Sequence, residues 1–593
     1  MTSRLVKCCT VTAVFFSVYC AATAFDLHVR HVLLSLATFL ALYFTVTQFI
    51  DQFHAKPNEP PLYSGWIPYM GLALEFGQDH ASLLRALSER SKDAPAFTAY
   101  IAGQRMTFIK NPLHFNTVLR KGKKLLQFRP VAEKIMKSAF NCTTVDMKST
   151  EYELWEKCSP AQWAMLRGEP LLNLMVKTQQ ELMQALRDQE TKTRASAVAN
   201  IHESNWHEID DLYSVVVDLM FQATGRSFFG TLFDDDDGDG MKHIKTAFHT
   251  FDTNFPLLAG GVPSNYIAGV SKAMAHLFSK FQHKTDVDLV NKYKVSEIIQ
   301  FRQDFLNNHM DHNSQGSFQL GFVWATMANT LPTAFWSLYF VMRDPVARAA
   351  CREEADRVLG PWLKQQEEQG ASKDGSEGGK EALANVLNNM PRLESVVSEA
   401  LRMCIASITL RQVMQPFDMA LGEHSVSLRK HDQVVLAPTL THYDPDIYDQ
   451  PTVFQWDRFL MPEEEPDSGK TMDEGSTKKA SLSNARRKPV RYKNGKKVPP
   501  AIALQPFGGG STMCPGRHFA LAEIKAFVAL VLVQWEIEFE FEEEEEEGTT
   551  SSSSLSFGVN GVPRLEQARA GLGSLPPLKE DKVGCRWRPR TKR

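Results

Sequence analysis

Residues 507–517, FGGGSTMCPGR, constrain this chain more than any other stretch. One cysteine, Cys514, lies among glycines and is followed at once by Pro515 and Gly516. The next residues, HFALAEIKAFVALVLVQ, carry the signal of an amphipathic helix. Cys514 is therefore expected on a Gly-rich loop at the mouth of a helix, where backbone N–H groups and the positive helix end favour a thiolate. Gly508, Gly509, Gly510 and Gly516 allow close backbone approach to something large and flat. No His or second Cys is near enough in sequence to complete the four-ligand set of a zinc site. A lone thiolate suits a metal that brings four ligands with it, as haem iron does. The competing reading is a buried cysteine in a Gly-rich turn.

The rest of the composition is permissive. The chain has 593 residues, 43% of them hydrophobic, which allows one large domain or several small ones. A net charge of −3 gives no bulk attraction to nucleic acid. The nine cysteines are scattered, an odd set that argues for a reducing compartment rather than a disulfide framework. There is no internal repeat.

Residues 1–55 read as a membrane anchor. Arg4 and Lys7 precede the uncharged run from Cys8 to Phe25. Asp26 and Arg30 interrupt it, and a second uncharged run spans Val32 to Ile50. Each is close to the ~20 residues a membrane-crossing helix needs, so one or two spans are expected. With two, Arg4, Lys7 and Lys56 share one side, as the positive-inside tendency prefers. KPNEPP opens a stiff hinge at 56–64, and a single domain is expected over 65–593.

Within that domain helix-period and strand-period stretches are mixed, which predicts a mainly α fold with small β-sheets. TAYIAGQRMTFI (98–109) reads as a hairpin centred on Gly103-Gln104. Residues 171–188 and 207–229 read as helices. FDDDDGDGM, from Phe233, lacks the carboxylate a calcium loop wants at Thr246 and reads as a solvated acidic loop. Asn141-Cys142-Thr143 is a glycosylation sequon, silent if the domain faces the cytosol. Residues 318–341 are long enough for another membrane span. A core helix is preferred because Asn329, Thr330 and Pro332 interrupt the run, with Pro332 loosening the turn before it. MPRLESVVSEALRM reads as a helix with Glu399 and Arg402 on one face. WEIEFEFE, from Trp535, alternates as a strand. Residues 370–381 and 542–556 are low-complexity insertions, and 478–497 is a basic run with no acid, able to face an acidic partner. RAGLGSLPPL (569–578) reads as a turn that returns Leu572 to the core.

Phe507, Gly510, Cys514 and Gly516 match the haem signature Phe-x-x-Gly-x-x-x-Cys-x-Gly of the cytochrome P-450 superfamily. Glu399 and Arg402 resemble that family's Glu-x-x-Arg, with Arg458 of WDRF as the third partner. A Glu between two Arg is a charge-assisted network that can survive burial. GWIPYMGLALEFG, WATMANTLPTAFW, EALRMCIASITLR, PFGGGSTMCPGRHFALAEIK and RAGLGSLPPL resemble the branch of microsomal sterol 7α-hydroxylases, with the sterol 12α-hydroxylase and prostacyclin synthase. The resemblance runs from about residue 60 to the C-terminus, leaving the insertions at 370–381, 465–485 and 542–556 without a counterpart.

The resemblance implies an α-rich haem-thiolate prism on the cytosolic face of the endoplasmic reticulum. Cys514 becomes the axial iron ligand, and Phe507, Gly510 and Gly516 shape its loop. Dioxygen and a sterol are the substrates, and electrons come from NADPH through a separate reductase, since no flavin or nucleotide motif is present. Trp324, Ala325, Ala406 and Leu572 match positions that line the sterol site. Two departures stand out. Where most of the superfamily carries an acid followed by threonine for proton delivery, this chain has Ala328 and Asn329, as the 7α-hydroxylase branch does. Asn329 with ordered water takes over the catalytic role. Thr512 stands where many relatives have a basic partner for a haem propionate, which leaves Arg411 as the best remaining partner. The rival functions are a 12α-hydroxylase, an isomerase like prostacyclin synthase, and a haem- and sterol-binding protein without turnover.

Overall fold

The computed structural model describes Ser35, Thr38 and residues 57–67, 70–120, 124–142, 158–197, 206–235, 238–282, 287–310, 312–368, 389–460, 489–539 and 562–590. The anchor runs, apart from Ser35 and Thr38, and the three insertions lie outside the described residues, as do Thr143 of the sequon and Phe541. The described chain forms two compact units, Met1–Val131 with Thr409–Leu440, and Ala132–Ile408 with Thr441–Arg593.

The first unit is built on a six-stranded mixed sheet. Its order is Leu62–Tyr63, Ala96–Ile101, Gln104–Ile109, Gln433–Leu436, Thr409–Val413 and Leu126–Gln127. Helix α1 (Ala73–Arg90) packs against the second of these strands. The expected hairpin is present, but its turn is Ala102-Gly103, one residue earlier than the sequence suggested. Ala102 and Gly103 both take positive φ, 45° and 73°, as a tight two-residue turn requires. This register stacks Phe97 on Phe108 and lets Thr98 and Thr107 share a buried hydroxyl bond of 2.9 Å, contacts that a shifted turn would break. Arg411 sits on the fifth strand, buried, donating to the Leu410 carbonyl and lying 6.0 Å from the Phe128 ring centroid.

The second unit is helical. Its main helices are α2 (Gly168–Ala197), α3 (Leu212–Phe229), α4 (Gly240–Thr253), α5 (His312–Met327), α6 (Thr330–Arg343), α7 (Pro345–Glu368), α8 (Pro391–Cys404) and α9 (Arg517–Gln534). Residues 207–209 are not helical as expected: they form the edge of a three-stranded antiparallel sheet with Cys585–Pro589 and Trp535–Phe539. On the last of these strands Trp535 and Ile537 are buried, as the alternation predicts. The acidic loop is solvent-exposed at Asp234, Gly238 and Asp239, as expected, while Asp234 pairs with Arg226 and Asp235 with Lys280. Among the described residues no helix is long and apolar enough to cross a membrane.

Helix α9 corrects the sequence reading in an informative way. It is buried on all sides rather than along one stripe: Phe519 and every residue from Ala522 to Leu532 are buried. Over that stretch it packs against α2, α6, α7 and α8, so no face there is left for water, while its first turn leaves His518 exposed. That burial encloses Glu523, whose Oε1 accepts from Thr224 Oγ1 at 2.6 Å while Oε2 has no partner among the described residues. Burial pushes its carboxyl up to about 8, so the side chain is a neutral acid near pH 7. Between the ordinary carboxylate range and pH 8 the folded chain holds a proton that the unfolded chain has released. Stability from this group is present at low pH and falls, by about 1.4 kcal/mol per pH unit, as pH rises through that window. Glu523→Gln is expected to remove this slope. Urea midpoints of wild type and variant at intervals from pH 5 to 8 test it, and parallel curves would refute a neutral Glu523.

Candidate active site

The Cys514 loop is closed by its own backbone. Gly508 and Gly510 take positive φ (70° and 64°), reversing the chain where a side chain would be strained. Gly510–Thr512 forms a short 3-10 turn, and the Cys514 N–H donates to the Phe507 carbonyl at 2.9 Å. Thr512 Oγ1 donates to the Gly509 carbonyl at 3.2 Å. Cys514 thus arrives three residues ahead of α9, as the sequence suggested. Burial pushes its thiol up, while the backbone N–H groups of Gly516 and Arg517 and the Arg517 charge pull it back down. Arg517 also donates to the Cys514 carbonyl at 3.0 Å.

Behind this loop lies a buried ion network. Arg402 grips Glu399 in a bidentate pair, Nε to Oε2 and Nη2 to Oε1, both 2.8 Å, with neither side chain exposed. Arg458 Nε donates to Glu399 Oε1 at 2.9 Å, and the Gln455 N–H adds a bond of 3.2 Å. The remaining Arg402 nitrogen donates to the carbonyls of His442 and Pro451, both at 2.7 Å. His442 carries the network to the cysteine loop. Its Nε2 accepts from the Gln505 N–H at 3.2 Å, so Nδ1 holds the proton and donates to the Arg402 carbonyl at 3.1 Å. Burial and the Arg402 charge hold its imidazole down to about 3, which keeps Nε2 free to accept. Gln505 is two residues before Phe507. The charged network therefore fixes the start of the Cys514 loop through one neutral imidazole.

The third element is a helix break. Helix α5 ends at Met327 and α6 begins at Thr330, leaving Ala328 and Asn329 between them. The break falls four residues before Pro332, because proline has no N–H to give the Ala328 carbonyl. Arg569 Nη2 approaches that carbonyl instead, at 3.4 Å. Asn329 Oδ1 accepts from the Ser574 N–H at 3.0 Å. A Cβ on Gly573 would lie 1.8 Å from that same oxygen, so the turn needs glycine there. Ala406 N donates to Gly573 O at 2.8 Å, and Gly571 N to Ala406 O at 2.7 Å. These bonds bring Ala328, Asn329, Ala406 and the turn bearing Leu572 together. Trp324 joins them through Asp252, which accepts from its indole N–H at 2.9 Å and pairs with Arg569. The Trp324 ring stacks on Phe255, 4.2 Å between centroids. Ala328 is buried and Ala325 exposed. Helices α6, α8 and α9, which lead away from the break, carry the Glu-x-x-Arg pair and follow the cysteine, all pack on one another.

Among the described residues no three His, Cys, Asp or Glu side chains are grouped to hold a bare metal ion. A single sulfur supported by two backbone N–H groups fits a metal already held by a macrocycle. Comparison with known families decides the matter: the family model for cytochrome P450 matches residues 60–560.

The chain belongs to the cytochrome P450 family.

Among curated relatives, this cytochrome P450 is similar to the cholesterol 7-alpha-monooxygenase of Cricetulus griseus, 31% identical over 537 residues, 89% of this chain and 94% of that protein. It is 29% identical to cytochrome P450 7B1 of Mus musculus over 484 residues, 81% of this chain and 85% of the relative. With the 7-alpha-hydroxycholest-4-en-3-one 12-alpha-hydroxylase of Homo sapiens it shares 27% over 541 residues, 90% and 94% of the two chains. As a cytochrome P450 it is a monooxygenase whose cofactor is a thiolate-ligated haem, acting with dioxygen and a redox partner that supplies electrons.

Several residues that build this P450 site escaped the sequence reading. His442 and Gln505 lie 63 positions apart, Asp252 and Arg569 317 apart, and Asn329 and Ser574 245 apart. The available signal was RAGLGSLPPL, which holds both Arg569 and Ser574 but was read for its turn, for Leu572 and for its resemblance rather than for these two side chains.

Proposed function

We propose that this cytochrome P450 hydroxylates cholesterol or an oxysterol at the 7α position. The observation that carries the reading is the 31% identity to the cholesterol 7-alpha-monooxygenase of Cricetulus griseus across 89% of this chain. Cys514 is the sulfur that holds the iron, with the Gly516 and Arg517 N–H groups steadying its negative charge. The haem supplies the oxidising chemistry, insertion of one oxygen atom of dioxygen into an unactivated C–H bond. The protein selects which C–H is presented. Trp324, Ala325 and Leu572 form the wall for a rigid apolar ring system, backed by Ala406, which is itself buried, and Ala328 offers little bulk at the helix break. Ala328 stands where an acid would otherwise help protons reach dioxygen, and the next residue, Asn329, takes over that role. Its Oδ1 is taken by Ser574, so it acts through Nδ2, holding a water that passes the proton.

A lipid-partitioning substrate suits a membrane-held enzyme. Residues 1–55 anchor the chain in the endoplasmic reticulum membrane, with the catalytic part cytosolic. A second reading, 12α-hydroxylation, draws on the 27% identity to a 12-alpha-hydroxylase over 90% of this chain.

The test is product analysis after incubating purified protein, reductase and NADPH with a sterol panel. A 7α-hydroxysterol is expected. A 12α product would select the second reading, and turnover of a fatty acid or endoperoxide alone would overturn both. Asn329→Ala is expected to keep the thiolate band of the reduced carbon monoxide complex while turnover falls.

A further inference from the structure

Arg569 stands out among the charged groups of the second unit. It is 5% exposed, lies 241 residues beyond the Ala328 carbonyl it touches, and has no role in the chemistry assigned above. Its Nη1 pairs with the Asp252 carboxylate, and Nη2 reaches the Ala328 carbonyl. Nε has no hydrogen-bond partner among the described residues. A buried guanidinium with an idle nitrogen is costly, so its place is set by what the other two nitrogens do.

We propose that Arg569, held by Asp252, is a positioning residue that substitutes for the backbone N–H missing at Pro332 and so fixes the turn Ala328–Asn329. The reasoning begins with the peptide chain. An α-helix through this region would bond the N–H of residue 332 to the carbonyl of Ala328, and proline cannot make that bond. The carbonyl is buried beside Ala328, itself 2% exposed, so water is a poor replacement. The guanidinium replaces the amide and costs the turn no backbone freedom. Asp252 does two things for it. Its carboxylate neutralises the buried charge, and it accepts from the Trp324 indole one helical turn before Ala328. The break is thereby clamped from both sides: Trp324 ahead through Asp252, Ala328 through Arg569, and Asn329 by the Ser574 N–H five residues on from Arg569. Asn329 is then a side chain on a fixed turn rather than on a frayed helix end.

This inference rests on the monooxygenase activity and not on the choice of sterol. Hydrogen exchange, read by mass spectrometry on the peptide spanning 324–333 in the haem-loaded protein, reports the turn directly and needs no substrate. Arg569→Gln is expected to raise exchange there about fivefold, the loss of roughly one buried hydrogen bond. Pro332→Ala restores the missing N–H, so the same Arg569→Gln change made in that background is expected to raise exchange little. In turnover, the share of NADPH electrons that ends in product rather than peroxide should fall in Arg569→Gln and recover in the double variant. Equal exchange effects in both backgrounds would overturn the proposal, since Arg569 would then act through something other than the Ala328 carbonyl. If Arg569→Gln does not fold, Arg569→Lys decides. Its ammonium keeps the charge but loses the planar fork whose two outer nitrogens reach Asp252 and Ala328 separately, so exchange at 324–333 is expected to rise. Unchanged exchange would refute the clamp. Failure of every sterol to react, with these exchange results intact, would remove the sterol reading and leave the clamp standing.

Discussion

Glu399→Gln is expected to strip the protein of most of its stability and of its grip on haem. The carboxylate is fully buried and sits between two guanidiniums that are themselves 0% and 4% exposed. Glutamine fills the same volume and can still accept bonds at its carbonyl oxygen, but its NH2 turns a donor toward a guanidinium. It leaves two positive charges with nothing to balance them. Removing one partner of a buried ion pair costs about 3–5 kcal/mol, a large share of the 5–15 kcal/mol by which a folded protein survives. The damage does not stop at the pair. Arg402 also ties down the carbonyls of His442 and Pro451, and His442 holds the Gln505 N–H at the entrance to the cysteine loop. A displaced Arg402 would release the loop start as well. Thermal unfolding and haem content of the purified variant check this. A matched change on the exposed Arg586–Glu538 pair should leave both unaltered. Wild-type-like melting and haem content in Glu399→Gln would show that the network is not what holds the loop.

What the sequence disclosed about this site follows a physical line. Residues whose roles depend on near neighbours were legible. Cys514 declares itself because the glycines that shape its loop and the helix that follows are adjacent to it. Glu399 and Arg402 were legible as a pair because i and i+3 share a helix face, and Arg458 because it stands in a short recognisable string. Pro332 was legible as a source of distortion in the turn before it, though not as the exact pair Ala328–Asn329. That depends on which carbonyl loses its donor, and the proline points four residues back. The partners of those features were hidden. Asp252 and His442 are ordinary residues in ordinary strings, Arg569 and Ser574 sit in a stretch that shows a turn but no partners, and only the folded chain brings the four to the groups they serve. The all-round burial of α9 was hidden for a related reason. Glu523 and Lys525 make its pattern look half-polar, but Glu523 is buried as a neutral acid and Lys525 reaches Glu394 at 3.5 Å. The hairpin at 96–109 was legible in kind but not in register, since the choice between adjacent turns is made by the pairing of Phe97 with Phe108 across it.

The sharpest separation between fold and function is expected at Cys514. Cys514→Ala should remove the thiolate band of the reduced carbon monoxide complex and all product formation, while far-ultraviolet circular dichroism stays close to wild type. The reason lies in how the loop is built. Its closure uses the Cys514 backbone N–H to the Phe507 carbonyl, its reversal uses Gly508 and Gly510, and its start is pinned through Gln505. None of these needs the sulfur. Alanine gives up only the side chain that receives the Gly516 and Arg517 N–H groups, and those two donors sit at the first turn of α9, where water or a bound anion can satisfy them. Haem affinity should therefore fall by more than the roughly 10–100-fold that loss of a supporting hydrogen bond costs at metal sites. The helices of the second unit should keep their packing. Haem titration followed by absorbance, with circular dichroism on the same sample, reads both quantities at once. A variant that still shows the thiolate band would place the iron ligand elsewhere, and one that unfolds outright would mean the sulfur, not the backbone, is what closes the loop.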